Sequence, residues 1–151
     1  MLRITPLLLV ASVSLLAAEA NGPQFFSAAE LKSYEKKLAP KVKDNVALEE
    51  IIRSGNYFSV VARVQAAMPA EMHENWSDVY MIISGTGALE VGGTLDTPKT
   101  TAPGELRAPA IQGGAQHKLS PGDVIHIPAK TPHRVLQPDG QITYLVFKVK
   151  T

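Results

Sequence analysis

The chain has 151 residues, 15 Lys and Arg against 14 Asp and Glu, a formal charge of +1 and no Cys. Charges of both signs are mixed along it with no basic run, which argues against nucleic acid as a partner. Without Cys there are no disulfides and no acylated-cysteine lipid anchor, so stability must come from one hydrophobic core in a chain too short for two.

Residues 1–20 read as a segment outside the fold. Arg3 is a small positive start, residues 4–18 are apolar but short for a membrane span, and Ala18-Glu19-Ala20 has the small-x-small form of a signal-peptidase site. Cleavage is expected before Asn21, giving an exported protein, periplasmic or secreted, with no stable membrane association afterwards. The expected organisation is therefore a signal peptide over 1–20, a helix and connector over 21–45, and a β domain over 46–151.

Residues 26–39 predict one amphipathic helix. Ser27 is a good N-cap with Glu30 three residues on, Phe26 and Leu31 take the staple positions, Leu31, Tyr34 and Leu38 share a face, and Pro40 stops the helix. Such a helix is expected on the outside of the domain.

From Val46 onward the pattern is strands and turns. Residues 57–68 alternate, with Phe58, Val60, Ala62, Val64, Ala66 and Met68 on one face and Ser59, Arg63 and Gln65 on the other, which predicts a half-buried strand. Strands at 78–84 and 88–91 follow, joined as a hairpin by Gly85-Thr86-Gly87, and residues 142–150 form a last strand apolar on both faces. Residues 92–116, rich in Gly, Pro and Thr, predict a long excursion at the rim that covers a pocket or builds a dimer contact. Many short strands with Gly and Pro between them indicate a sandwich or barrel. The two-faced last strand and the spare helix lead to an expected homodimer, although closure of a barrel would bury that strand equally well.

Two stretches carry chemistry. In the first, an extended segment places Glu71 and His73 on one face by period two, and Asp78 returns at the start of the next strand. In the second, GDVIHIPAKTPH at 122–133, prolines bracket a turn and hold the direction of His133. Together Glu71, His73, Asp78 and His133 would be two imidazoles and two carboxylates, a set suited to one divalent Mn, Fe, Ni or Zn ion. His126 shares a face with Val124, and His117 with Leu119. Each is a candidate to point inward, His126 in a proton-transfer role. Trp76 and Tyr80 read as core or rim, while Arg63 and Gln65 face either a substrate or solvent.

These spacings resemble the two motifs of the cupin family. The first motif usually runs HxH, Glu and Gly; Asp78 and Gly85 keep the Glu-to-Gly spacing, His73 stands where the second His would, and Glu71 replaces the first. The second is similar in Gly122, Pro128, His133 and then Gln137, with Lys130 at a position usually Gly. The resemblance covers about residues 57–149 and implies an all-β jelly-roll barrel, here with the N-terminal helix added. It also implies a metal inside the barrel held by His73, Asp78 and His133; Glu71 is an inference from geometry, and without it a two-His, one-carboxylate set remains.

A carboxylate in place of an imidazole would neutralise a divalent ion and weaken its pull on an anionic substrate, which disfavours oxalate-type chemistry. Lys130 would cost about 1 kcal/mol if its turn needs φ above zero. The expected function is a metal-dependent oxidoreductase acting on a small polar molecule. Its alternatives are a non-catalytic binder of a sugar or carboxylate, isomerase or lyase chemistry, and a barrel with no small-molecule role.

Overall fold

The structure, a computed structural model, describes residues 22–136 and 138–151. The expected signal peptide, Asn21 and the motif position Gln137 lie outside the described residues. Helix α1 (Ala28–Leu38) begins as its sequence requires: Ser27 Oγ accepts from Glu30 N at 3.1 Å, and Glu30 Oε2 accepts from Ser27 N at 2.7 Å. A short 3₁₀ turn at Ala39–Lys41 carries Pro40 and ends it. Among the described residues no helix is long and apolar enough to cross a membrane.

Among the described residues thirteen strands follow: β1 (Val46–Arg53), β2 (Tyr57–Val64), β3 (Ala70–His73), β4 (Trp76–Gly85), β5 (Gly87–Val91), β6 (Thr94–Asp96), β7 (Lys99–Ala102), β8 (Glu105–Ala108), β9 (Ala110–Gln112), β10 (Ala115–Leu119), β11 (Val124–Ile127), β12 (His133–Val135) and β13 (Ile142–Lys150). They form a five-stranded sheet ordered β1-β2-β13-β4-β11, a six-stranded sheet ordered β10-β5-β12-β3-β8-β7, and a two-stranded ribbon of β6 and β9. All pairings are antiparallel.

The core lies between the two large sheets. Tyr80 and Ile82 of β4, Ile142, Tyr144 and Val146 of β13, and Ala62 and Val64 of β2 meet Leu89, Leu119 and Val135 from the other sheet. The outer face of the five-stranded sheet is apolar too, because α1 covers it: Leu31 and Leu38 pack on Ala47, Val61 and Leu145, with Met81, Ile83 and Phe147 beside them. Both faces of β13 are thus accounted for within one chain. The expected half-buried strand at 57–68 is corrected on two points: it ends at Val64, and helix contacts cover its second face. Arg63 lies on that helix side, donating through Nη1 to the Glu35 carbonyl oxygen at 3.0 Å, away from the barrel interior.

The expected hairpin at Gly85-Thr86-Gly87 is a corner. Strands β4 and β5 belong to different sheets and do not pair. Gly85 has φ of 79°, and a Cβ there would sit 2.0 Å from the Gln141 carbonyl oxygen, so the close approach of β13 demands glycine. The excursion at 92–116 is ordered as the β6/β9 ribbon and the β7/β8 pair. Strand β8 pairs with β3, which extends the sheet and adds a wall beside Glu71 and His73.

Candidate metal centre

Registers between strands bring the chemistry together. Glu71 and His73 alternate along β3, and across β8 they face Arg107 and Glu105. On the other side of β3, His133 of β12 is the partner of Glu71. From the opposing sheet, β4 and β13 pair Asp78 with Lys148. The motif turn preceding His133 is tied to the first motif as well: Lys130 N donates to the His73 carbonyl oxygen at 2.7 Å. Lys130 has φ of 64°, so lysine occupies a left-handed position that favours glycine, as expected if the turn is kept.

Glu71, His73, Asp78 and His133 converge, with one ligand atom from each lying within 4.8 Å of the others. The imidazoles are oriented from behind. His133 Nδ1 donates to the Thr131 carbonyl oxygen at 2.9 Å, and His73 Nδ1 donates to Glu105 Oε2 at 2.6 Å. Fixing each Nδ1–H in this way aims each Nε2 into the cluster, the arrangement that metal-binding histidines require. His133 Nε2 is buried and has no hydrogen-bond partner among the described residues; it faces Glu71 Oε1 at 3.3 Å and Asp78 Oδ2 at 3.5 Å. An orphaned nitrogen between two carboxylates is a place for a cation. The four residues therefore can hold a metal ion, and their mixed N and O donors suit Mn, Fe, Ni or Zn.

The remaining charges hold these groups in place. Arg107 Nη2 lies 3.0 Å from Glu71 Oε2, which leaves Oε1 for the cluster. Lys148 Nζ donates to both oxygens of Asp78, at 2.6 and 2.7 Å, and to His73 Nε2 at 2.8 Å. Burial works against charge on Asp78, but His133, His73 and Lys148 outweigh it and hold its carboxyl far below the usual range. Glu71 shows the same balance: burial raises it, His133, Arg107 and His73 pull it down, and it reaches about 2. Burial favours the neutral ring of His133, yet Asp78 and Glu71 push it up to about 9, and His73 is raised against burial by Asp78 and Glu105. Tyr80 and Tyr144, buried beneath the cluster near these carboxylates, are raised and remain phenols. Tyr80 meets the His133 ring edge-on at 6.2 Å.

Three groups here escape the sequence reading: Glu105, Arg107 and Lys148. Lys148 was legible by period two, since it continues the inward series Ile142, Tyr144, Val146. Glu105 and Arg107 alternate correctly within β8, but only the β3 pairing says what they face. They also change the electrostatics. Three carboxylates, Glu71, Asp78 and Glu105, face two cations, Arg107 and Lys148, so the field at the cluster is set by more than its four candidate ligands.

His126 and His117 do not join the cluster. Ile125 and Ile127 take the inward positions of β11, which leaves His126 exposed with Val124 and corrects its expected inward orientation. A proton-transfer role at the cluster loses its geometric basis. His117 is exposed on the edge strand β10, and both histidines line an open groove of about 560 Å³ with Asp123. Tyr80 is core, and Trp76 packs edge-on against Phe58 at 5.2 Å, as expected for core or rim residues.

No protein-family model matches the chain, and no curated protein sequence matches it. Solved structures do. A cupin-2 domain protein from Rhodospirillum rubrum is similar at 16% identity and a TM-score of 0.51, over 70% of this chain and 60% of its own. KdgF from a Halomonas species aligns at 17% identity and a TM-score of 0.52, over 73% and 84%. The DMSP lyase DddQ from Ruegeria pomeroyi DSS-3 aligns at 19% identity and 0.51, over 70% of this chain and 47% of the lyase, so the chain spans about half the length of that enzyme. The fold is that of the cupins. Within that class this chain is a barrel with a helix on its outer sheet and a buried Glu, His, Asp, His group that can hold a metal.

Proposed function

We propose that this protein binds one divalent ion, Mn, Fe, Ni or Zn, through Glu71, His73, Asp78 and His133 and acts as a metal-dependent oxidoreductase on a small polar molecule. One observation carries the metal reading: both imidazoles have Nδ1 anchored and Nε2 aimed inward, and the Nε2 of His133 is buried without a hydrogen-bond partner among the described residues. A bound ion of this kind supplies Lewis acidity and, where redox-active, one-electron chemistry. Glu105 keeps the His73 ring oriented and holds its Nδ1 proton, while Arg107 fixes which oxygen of Glu71 faces inward. The partly exposed side chains of Glu71, Glu105, Arg107 and Lys148 form the polar approach that a small molecule would meet. Export through residues 1–20 and a homodimer belong to the same proposal. The dimer is tested by light scattering, where a monomer at high concentration removes it.

A second reading has its own support. Lys148 already satisfies Asp78 and His73, as a non-catalytic binder of a sugar or carboxylate would need if it carried no metal. That a DMSP lyase shares the fold keeps lyase chemistry as a further alternative. Elemental analysis of the untagged protein separates these readings. Near-stoichiometric metal that is lost in His133→Ala supports the first, and its loss or retention in Glu71→Ala distinguishes a four-group from a three-group sphere. Absence of metal after incubation with each ion would remove the oxidoreductase reading.

A further inference from the structure

The two histidines of the centre are not equivalent. Both have Nδ1 committed to a hydrogen bond from behind, so in its neutral form each offers the cluster a single lone pair, on Nε2. At His133 that lone pair has no hydrogen-bond partner among the described residues. At His73 it is taken, because Lys148 Nζ donates to it at 2.8 Å. The same ammonium holds both oxygens of Asp78, whose side chain is 1% exposed, while the Lys148 side chain is 19% exposed. A buried carboxylate requires a positive partner, and Lys148 is one.

An imidazole nitrogen with one lone pair cannot serve an N–H donor and a metal ion together. Strand β13 fixes the Lys148 backbone, since its register with Asp78 continues through Val146 with Tyr80 and Tyr144 with Ile82. Only the four-carbon stem is free to move. Resting on the metal reading given above, we propose that Lys148 is a displaceable internal cation: its ammonium occupies Asp78 and His73 in the metal-free protein, and a divalent ion gains those two ligands only by expelling it. Metal occupancy is then set by competition within the chain. An ammonium bound about nine-tenths of the time lowers the apparent affinity for the ion about tenfold, because only the free fraction of the site can accept it.

The test uses the full chain, with Zn²⁺ and Mn²⁺ as probes. Calorimetric titration should give Lys148→Met a dissociation constant about tenfold tighter than the wild type or better. Its metal-free melting temperature should be lower, and its gain in melting temperature on adding metal larger. Since removal of charge alone favours a cation, a second measurement addresses displacement directly in the wild-type protein. Amine acetylation followed by mass spectrometry should modify Lys148 slowly without metal and several-fold faster with Zn²⁺ bound. Equal affinity in the two proteins, or labelling that metal does not accelerate, overturns the displacement and leaves the metal centre standing. If neither protein binds either ion, both the displacement and the metal reading fall.

Discussion

The two ends of the barrel are made by the same strands and differ in everything but geometry. At one end β13 and β4 contribute Ile142, Tyr144 and Ile82 to an apolar core with Leu89, Leu119 and Val135; at the other they contribute Lys148 and Asp78 to a charged cluster. Alternation along a strand decides only that a side chain points inward. Position along the strand decides whether it meets leucine or carboxylate. The apolar end stabilises by removing surface from water, while the charged end must satisfy the groups it buries, and His133 Nε2 there has no hydrogen-bond partner among the described residues.

The comparison is broken most strongly at its apolar end. Ile142→Ala opens a cavity at a fully buried position and should destabilise by about 2–5 kcal/mol in denaturant unfolding, while metal affinity stays within about twofold because the cluster lies six residues along the strand. A loss of metal binding in that variant would show that the two ends are coupled. At the charged end, Glu105→Gln keeps the shape but removes the carboxylate that orients His73. It should weaken metal binding by about 10–100-fold in a chelator competition, with little change in melting of the metal-free protein.

The pH dependence should also separate the ends. His133 is raised from its ordinary 6.5 to about 9, so below that value the ion must displace a proton. Metal affinity should therefore climb with pH towards about 9, by up to about tenfold per unit, and level off above it. For the metal-free fold the sign is opposite. A raised pKa contributes stability that is fully present below about 6.5 and lost as pH rises through about 9. Affinity that falls across this range would contradict the assignment of His133 Nε2 as a ligand. The smallest effect is expected at the turn: Lys130→Gly relieves the φ of 64° and should raise stability by up to about 1 kcal/mol with metal affinity unchanged.

What the sequence revealed and what it concealed divide by range. Local rules sufficed for the capping box of Ser27 and Glu30, for β13, and for Glu71 and His73 sharing a face. Motif spacing added Asp78 and His133. The contribution of Glu105 and Arg107 depends on the pairing of β8 with β3, some thirty residues apart, and no periodicity within a Gly- and Pro-rich stretch specifies that partner. Position 148 has the right parity, but the apolar content that marks its strand does not single out the one charge in the inward series. His126 shows the converse: period two groups it with Val124 without saying which group faces in, and the answer came from Ile125 and Ile127.

The hydrogen bond from Lys130 N to the His73 carbonyl oxygen joins two residues 57 positions apart, close to where each segment supplies an imidazole. It places the spacing of the donors under main-chain control, so the ligands are gathered during folding, before an ion arrives. Little conformational freedom is then left to lose at the moment of binding, and ions should be ranked by their own chemistry at a fixed frame. In such a site Mn²⁺, Fe²⁺, Ni²⁺ and Zn²⁺ differ by intrinsic preference for nitrogen and oxygen donors, and the metal bound would reflect supply in the compartment where the chain folds.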